Sequence, residues 1–476
     1  MVTALDEKLR AFAPDKVVLK PLTRWNDAYK EFPRYVMEFL CARYVSPDAP
    51  AEGQARIDRI IRERYVESGA KELIRHRIKE KGTYALLGEL KVRYDSRRDM
   101  YWADLPAIGE QTARIAPAVL KRYEDLLLTS GAWGTIDVSH DPSFTIKGAI
   151  YPFVVEEFTP FQVSRIDVDE FVRLREALTD EEWLDLLIQS IGFNPERFER
   201  RTKLLMLLRL VPFVEANFNL IELGPRETGK TYTYRNTSSK SFVVSGSRVT
   251  AASLFYNNNS RRMGILGLKD VVFFDEVAHA EFDDALTTLS VLKDYMQTGR
   301  FSRLGQEYTA QASIVLGGNI ECDLRRRQPS RRYLHLFEPM PEELQDTAFL
   351  DRLHAYLPGW EMPKIEPENY ADGYGFITDY LAEIFARLRQ RNYQMIVEAA
   401  TDLSGLGERN RTAVKKTTAG LLKLLYPHRT MDTIREHELA PCLNLANECR
   451  QRILDQLAVM LPGEFANVRV AAAVAQ

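Results

Sequence analysis

The chain has 476 residues, enough for two or three domains that each bury a core of their own. Hydrophobic residues make up 45% and charged residues 28%, which excludes a disordered or fibrous chain, and a net charge of -3 does not by itself point to nucleic acid. Met1 to Arg10 lacks the apolar stretch of a signal peptide and no run reaches the ~20 apolar residues of a membrane span, so a cytoplasmic protein with no membrane partner is expected.

Residues 1–98 read as a helical, basic module. Ile57, Ile60, Ile61 and Tyr65 recur at helical spacing among Arg56, Arg59, Arg62 and Arg64, and Leu73, Ile74 and Ile78 do so among Arg75, Arg77 and Lys79. These helices present either solvated basic faces or a surface for phosphates. Residues 99–179 change texture to short β-branched and aromatic runs broken by Gly and Pro (Trp133 to Val138, Phe144 to Ile150, Val154 to Phe158), which predicts a small β-rich or mixed module, barrel-like in outline. Helix returns at the capping pattern Thr179-Asp180-Glu181-Glu182, which opens a predicted α/β core over 180–365. Residues 366–476 are rich in helical patterns and read as a lid. Cys41, Cys322, Cys442 and Cys449 lack metal-site spacing and read as reduced thiols.

The chemistry is concentrated in the core. An apolar run, Phe218 to Leu223, reads as a buried strand and leads into Gly224-Pro225-Arg226-Glu227-Thr228-Gly229-Lys230-Thr231, a full match to the phosphate-loop pattern. Glycines let the backbone curl so that successive N–H groups face a phosphate. Lys230 neutralises the β/γ oxygens and the Thr231 hydroxyl ligates Mg²⁺. A second buried run, Val271 to Phe274, ends in Asp275-Glu276. The first carboxylate is placed to hold Mg²⁺ and the second to polarise an attacking water. Together these predict binding and hydrolysis of ATP with Mg²⁺. A third run, Ala312 to Leu316, passes through Gly317-Gly318 to Asn319, which either orients that water or is a turn asparagine. Arg352, before a Pro358-Gly359 turn, is placed like an arginine that reaches a neighbouring subunit's γ-phosphate; its competing role is an ion pair with Asp351 or Glu361. Arg411 opens a later helical segment and is the candidate for a second nucleotide-sensing arginine acting in cis.

Gly299 to Gln311 reads as a β-hairpin around Gly305 with Arg300, Phe301, Arg303 and Tyr308. Arg300 and Arg303 are the candidate DNA contacts, against an ordinary surface hairpin. Arg325, Arg326, Arg327, Arg331 and Arg332 form a second basic cluster, suited to DNA or to ion pairs across a subunit interface.

The runs Leu220 to Thr231, Phe273 to Ala278, Thr298 to Arg303 and Leu357 to Glu361 together resemble the BrxL family, the "Lon-like" AAA+ subunits of bacterial BREX phage-defence systems. The hairpin and sensor arrangement is also similar to the MCM helicases. The resemblance implies an α/β P-loop AAA+ core, a parallel sheet between helices, with a helical and β-rich N-terminal module and a C-terminal helical lid. It implies a homo-oligomeric ring built on hexamers, with stacking of two rings left open, encircling DNA that is double-stranded. It also brings in other subunits of the defence system as partners. Lys230, Thr231, Asp275, Glu276, Asn319 and Arg352 take the roles above. Lon-type proteolysis needs a Ser nucleophile beside a Lys in a domain after the ATPase, and no serine follows Ser404. An ATPase without its own protease activity is therefore expected, with a protein-remodelling motor as the alternative to a DNA-directed one.

Overall fold

The computed structural model describes residues 3–24, 32–47, 49–129, 131–161, 166–245, 249–257, 262–303 and 305–475. Contacts divide the chain into Pro21–Arg165 and a larger unit made of Met1–Lys20 with Ile166–Gln476.

In the smaller unit, helices Pro50–Arg64 and Lys71–Lys81 form where the apolar spacing predicts, with Ile57, Ile61, Ile74 and Ile78 buried. Gly82, at φ +78°, ends the second helix in a conformation that other residues adopt only under strain. The helical reading fails beyond this point, because Thr83–Asp95 is a long strand, β1. Leu86, Leu90 and Val92 face the core at a period of two, with Gly88 between them. The Leu, Glu and Lys of this stretch favour helix locally, and tertiary pairing overrides that preference.

Four further strands complete a closed barrel: β2 (Met100–Leu105), β3 (Glu110–Ile115), β4 (Ala132–His140) and β5 (Phe153–Pro160), in the order β1-β2-β3-β5-β4. β1 is shared by both halves, pairing with β4 from Thr83 to Leu90 and with β2 from Lys91 to Asp95. With β3 and β5 parallel and a helical connection before β4, this is the strand order of OB-type barrels. A Cβ on Gly134 would sit 2.3 Å from the Thr159 carbonyl oxygen, so β4 approaches β5 only through glycine. The division expected at residue 98 falls in the turn between β1 and β2; the barrel and the basic helices are one unit.

The larger unit is mixed α/β. Its central sheet uses β6 (Asn219–Gly224), β7 (Ser241–Val244) and β8 (Val271–Phe274). A separate hairpin follows, β9 (Arg300–Arg303) and β10 (Gln306–Thr309), before β11 (Ser313–Asn319) and β12 (Ala355–Pro358) rejoin the sheet. The sheet runs β7-β8-β11-β6-β12, and every pairing is parallel. Strands β6, β8 and β12 are buried along their whole length, the pattern of a sheet covered on both faces. Helices Thr378–Arg389, Glu408–Leu425 and Glu436–Met460, read above as a lid, belong to the same unit as the sheet. Arg389 donates to the Pro212 carbonyl at 2.6 Å and Lys423 pairs with Glu215 at 2.7 Å, both buried. The divisions expected at 179 and 365 therefore do not separate compact units.

Among the described residues no helix is long and apolar enough to cross a membrane, and no group of three or more His, Cys, Asp or Glu side chains is placed to hold a metal ion. The four cysteines are free thiols; burial raises Cys442 and Cys449 to about 12 and Cys322 to about 11.

Candidate functional site

Parallel strands leave a crevice at their carboxyl ends, where the loops after β6, β8 and β11 emerge side by side. A cavity of about 600 Å³ opens there, lined by the phosphate loop from Arg226 to Thr231 and by Asp275, Glu276 and Asn319. Residues separated by about ninety positions in sequence thus meet in one place, as the strand-loop pattern predicts.

Each side chain is held by a local cause. The loop turns through left-handed backbone at Glu227 (φ +66°) and Gly229 (φ +79°). Gly224 has no room for a side chain, since a Cβ there would lie 2.4 Å from the backbone of Gly359. The helix Lys230–Asn236 then starts with its free N–H groups at the cavity, favourable ground for an anion. Lys230 is buried and donates to the Pro225 carbonyl at 2.7 Å. Burial pushes its ammonium pKa down, Glu222 pulls it back up, Arg209 lowers it and Asp275 raises it. The Thr231 hydroxyl donates to Asp275 at 2.7 Å, which puts two hard oxygen ligands together as a Mg²⁺ site requires. Glu276 is exposed and sits at φ +52°, a left-handed conformation that costs a non-glycine residue about 1–3 kcal/mol and recurs at working sites. Its N–H donates to Asp275 at 3.0 Å. Asn319 ends β11 in register with Gly224, so its side chain lies level with the start of the phosphate loop.

Two parts of the site escape the sequence patterns. The first is an aromatic wall: Phe193, Tyr232 and Tyr370, with Ile365, line the same cavity. Phe193 and Tyr370 lie 6.5 Å apart with planes 11° from parallel, and Tyr232 is 5.5 Å from Phe193. The stretch from Ile365 to Ala371 is tied down by its backbone, through Ile365 N–H to the Glu227 carbonyl at 2.8 Å and Ala371 N–H to Gly192 at 2.9 Å. Only Tyr232 adjoins the motif, so no spacing in the sequence announces the wall.

The second is a buried brace. Arg209 and Glu222 are 0% exposed and form a two-point ion pair, at 2.9 and 2.6 Å, while Arg209 also donates to the Thr228 carbonyl at 3.0 Å. Here a signal did exist: Glu222 interrupts the apolar run Leu220 to Leu223, and a charge buried there requires a partner. Arg209→Met is expected to leave Glu222 buried and unpaired and to destabilise the fold by about 3–5 kcal/mol. The joint change Arg209→Met/Glu222→Met should recover most of that stability but not the ATP affinity, because Thr228 stays unsupported. Thermal melts and nucleotide titrations of the two variants check this.

The remaining predicted residues lie elsewhere. Arg352 precedes β12 and so sits at the opposite end of the sheet, with its carbonyl accepting from Asn219 at 3.1 Å at the start of β6. The length of β6 puts it ~17 Å from its own phosphate loop, at about 3.3 Å per residue. The ion pairs that compete for Arg352 are not formed: Asp351 pairs with Arg409 and Arg450, and Glu361 with Arg201. Arg352 instead donates to the Ala348 carbonyl, its Nε has no partner among the described residues, and burial, aided by Arg409, lowers its pKa.

The structure does not bring Arg411 to the cavity. The helix that carries it begins beside Arg352, where Arg409 meets Asp351, and Arg411 lies 3.8 Å from Glu408. Arg411 therefore lies away from the cavity of its own chain: after Ile365 to Ala371 pass the phosphate loop, helix Thr378–Arg389 returns the chain to the amino ends of the strands, where Arg389 donates to the Asp270 carbonyl, before the helix of Arg411 starts.

In the hairpin, Arg300 is exposed and lies 3.5 Å from Glu307, while Arg303 stands next to the turn. Strand alternation puts the two arginines on opposite faces. Phe301 is turned inward and packs against Phe255, Tyr295 and Tyr308. In the second basic cluster Arg326, Arg327 and Arg332 pair with Asp323, Glu199 and Glu321 of the same chain.

The family described as "Lon-like protease BrxL-like, ATPase domain" matches residues 153–471, and "BREX system Lon protease-like protein BrxL N-terminal" matches residues 11–140. The Lon-like protease BrxL of Escherichia coli O9:H4 (strain HS) is 36% identical over 468 residues, covering 98% of this chain and 66% of the relative. The protein of the same name from Bacillus cereus (strain H3081.97) is 37% identical over 469 residues, covering 98% of this chain and 68% of the relative. The chain thus spans about two thirds of the length of the relatives it matches. With a phosphate loop, paired carboxylates and a parallel sheet inside a matched ATPase domain, the chain belongs to the BrxL family.

Proposed function

We propose that this chain is an AAA+ ATPase that hydrolyses ATP with Mg²⁺, assembles into a cytoplasmic ring built on hexamers and acts on DNA in BREX-type antiviral defence. The observation that carries the ATPase reading is the convergence of Lys230, Thr231, Asp275, Glu276 and Asn319 on one cavity. Lys230 and the loop N–H groups bind the phosphates, and Glu276, projecting from the end of β8, accepts a proton from the attacking water that Asn319 orients. Bound Mg²⁺, held by Thr231 and Asp275, supplies charge neutralisation on the phosphate oxygens. The aromatic wall suits the flat face of a base. The position of β6 between β11 and β12 supports an AAA+ core.

Arg352 supports a ring, because it is too far from its own phosphate loop to act there and makes no carboxylate pair among the described residues. An Arg352→Ala protein is expected to lose about 10³-fold or more in ATP turnover, the scale of an arginine finger. Mixed with Lys230→Ala subunits, it should regain turnover at those interfaces where an intact arginine faces an intact phosphate loop. Absence of recovery at every mixing ratio would remove the trans role.

DNA is favoured over polypeptide by the hairpin. A loop that grips peptide presents an aromatic side chain, whereas Phe301 is buried and the outward groups include Arg300. The test is turnover and DNA binding across a salt series, for wild type and Arg300→Ala/Arg303→Ala. Binding that weakens steeply with salt and falls in the variant supports DNA at the hairpin. A wild-type protein with no DNA affinity in any nucleotide state would favour protein remodelling.

A further inference from the structure

The smaller unit has a cavity of its own, of about 510 Å³, between the end of helix Pro50–Arg64, helix Lys71–Lys81 and the start of β1. Arg62, Arg64, Arg77 and Lys81 line it, against the two carboxylates Glu63 and Glu67. None of the four cations forms an ion pair among the described residues. Other cations of the same helices are used inside the unit: Arg56 lies 4.5 Å over the Tyr44 ring, and Arg75 donates to the carbonyls of Ile108 and Gly109 at 2.8 and 3.0 Å. The contrast separates Arg56 and Arg75, which have partners inside the unit, from Arg62, Arg64 and Arg77, which have none among the described residues and line one hollow.

Helix ends explain part of the placement, since Arg62, Arg64 and Lys81 fall in last turns, where cations offset the carbonyl dipoles. That effect uses their charge but leaves their N–H donors unmatched. Arg77 lies a turn earlier and faces the same cavity, which a dipole argument does not require. The barrel wall fixes the geometry: Tyr84 on β1 donates to the Glu63 carbonyl at 3.3 Å, and Lys81 lies 5.7 Å over the Tyr84 ring. Guanidinium groups around an open hollow suit phosphate oxygens, which accept several N–H donors without having to be buried.

We propose that this cavity is a second DNA contact, holding the phosphodiester backbone irrespective of sequence, separate from the hairpin of the larger unit. The proposal rests on the DNA reading above and adds to it a site on the N-terminal unit.

The test uses the full chain, a short labelled duplex and a salt titration, comparing wild type, Arg62→Gln/Arg77→Gln and Arg300→Ala/Arg303→Ala. Loss of two phosphate contacts should reduce the slope of log affinity against log salt by about 2 and lower affinity at about 100 mM salt roughly tenfold or more. Basal ATP turnover and the melting temperature should stay at wild-type values, and Arg62→Lys/Arg77→Lys should keep most of the affinity. An unchanged slope and affinity in Arg62→Gln/Arg77→Gln, with loss confined to the hairpin variant, would overturn this site while leaving the DNA reading intact. A wild-type chain with no DNA affinity would overturn both. Saturable binding of inorganic triphosphate that the Gln variant loses, with DNA binding unaltered, would reassign the cavity to a free polyphosphate.

Discussion

The Glu276→Gln protein is expected to bind ATP within about threefold of wild type and to hydrolyse it about 10²–10⁴-fold more slowly, the usual contribution of a general base. The expectation follows from how the two carboxylates divide their work. Asp275 is engaged by Thr231 at 2.7 Å and by the Glu276 N–H at 3.0 Å, so the ligand side of the site survives the change. Glu276 is exposed and its carboxylate is free to meet water, so a carboxamide removes the proton acceptor and little else. Single-turnover hydrolysis beside a nucleotide titration separates the two effects. Wild-type turnover in the Gln variant would move the base to another residue, and lost binding would mean that Glu276 is a ligand-side group.

The Lys230→Ala protein is expected to lose about a hundredfold or more in ATP affinity, which corresponds to about 3 kcal/mol. The ammonium is already in place before any phosphate arrives. It is 7% exposed, rests on the Pro225 carbonyl at 2.7 Å and lies 3.4 Å from the Thr228 hydroxyl. A phosphate exchanges one neutral carbonyl for charged oxygens, so little reorganisation offsets the gain. Because the side chain is buried, a thermal melt accompanies the titration. A variant that melts like wild type and still binds ATP tightly would show that the loop N–H groups suffice.

Much of this site is legible in the sequence because it is written in contiguous runs. An apolar strand, a glycine-bearing loop and a Lys-Thr pair occupy adjacent positions, as do Val271 to Glu276, and parallel pairing then brings their ends together. What depends on the path of the chain is not legible. The aromatic wall joins Phe193, Tyr232 and Tyr370 from three segments, and only the fold aligns them. The placement of Arg411 away from the cavity is hidden for the same reason: its helix is plain in the sequence, but the end of the sheet at which that helix starts is not. β1 failed for a different reason, because residues that prefer helix locally are held extended by partners on both edges.

Strand β6 links the two ends of the sheet. Its carboxyl end becomes the loop that grips phosphate, and its amino end, through Asn219, holds the carbonyl of Arg352. Its flanks are fixed by β11 on one side and β12 on the other, so it behaves as a stiff rod between the phosphate loop and Arg352. In the ring proposed above such rods, laid end to end across subunits, would make each occupied site a mechanical neighbour of the next. Timing around the assembly would then be passed along backbone instead of through flexible loops, and lengthening the rod by two residues should unlink adjacent sites while leaving each one able to bind.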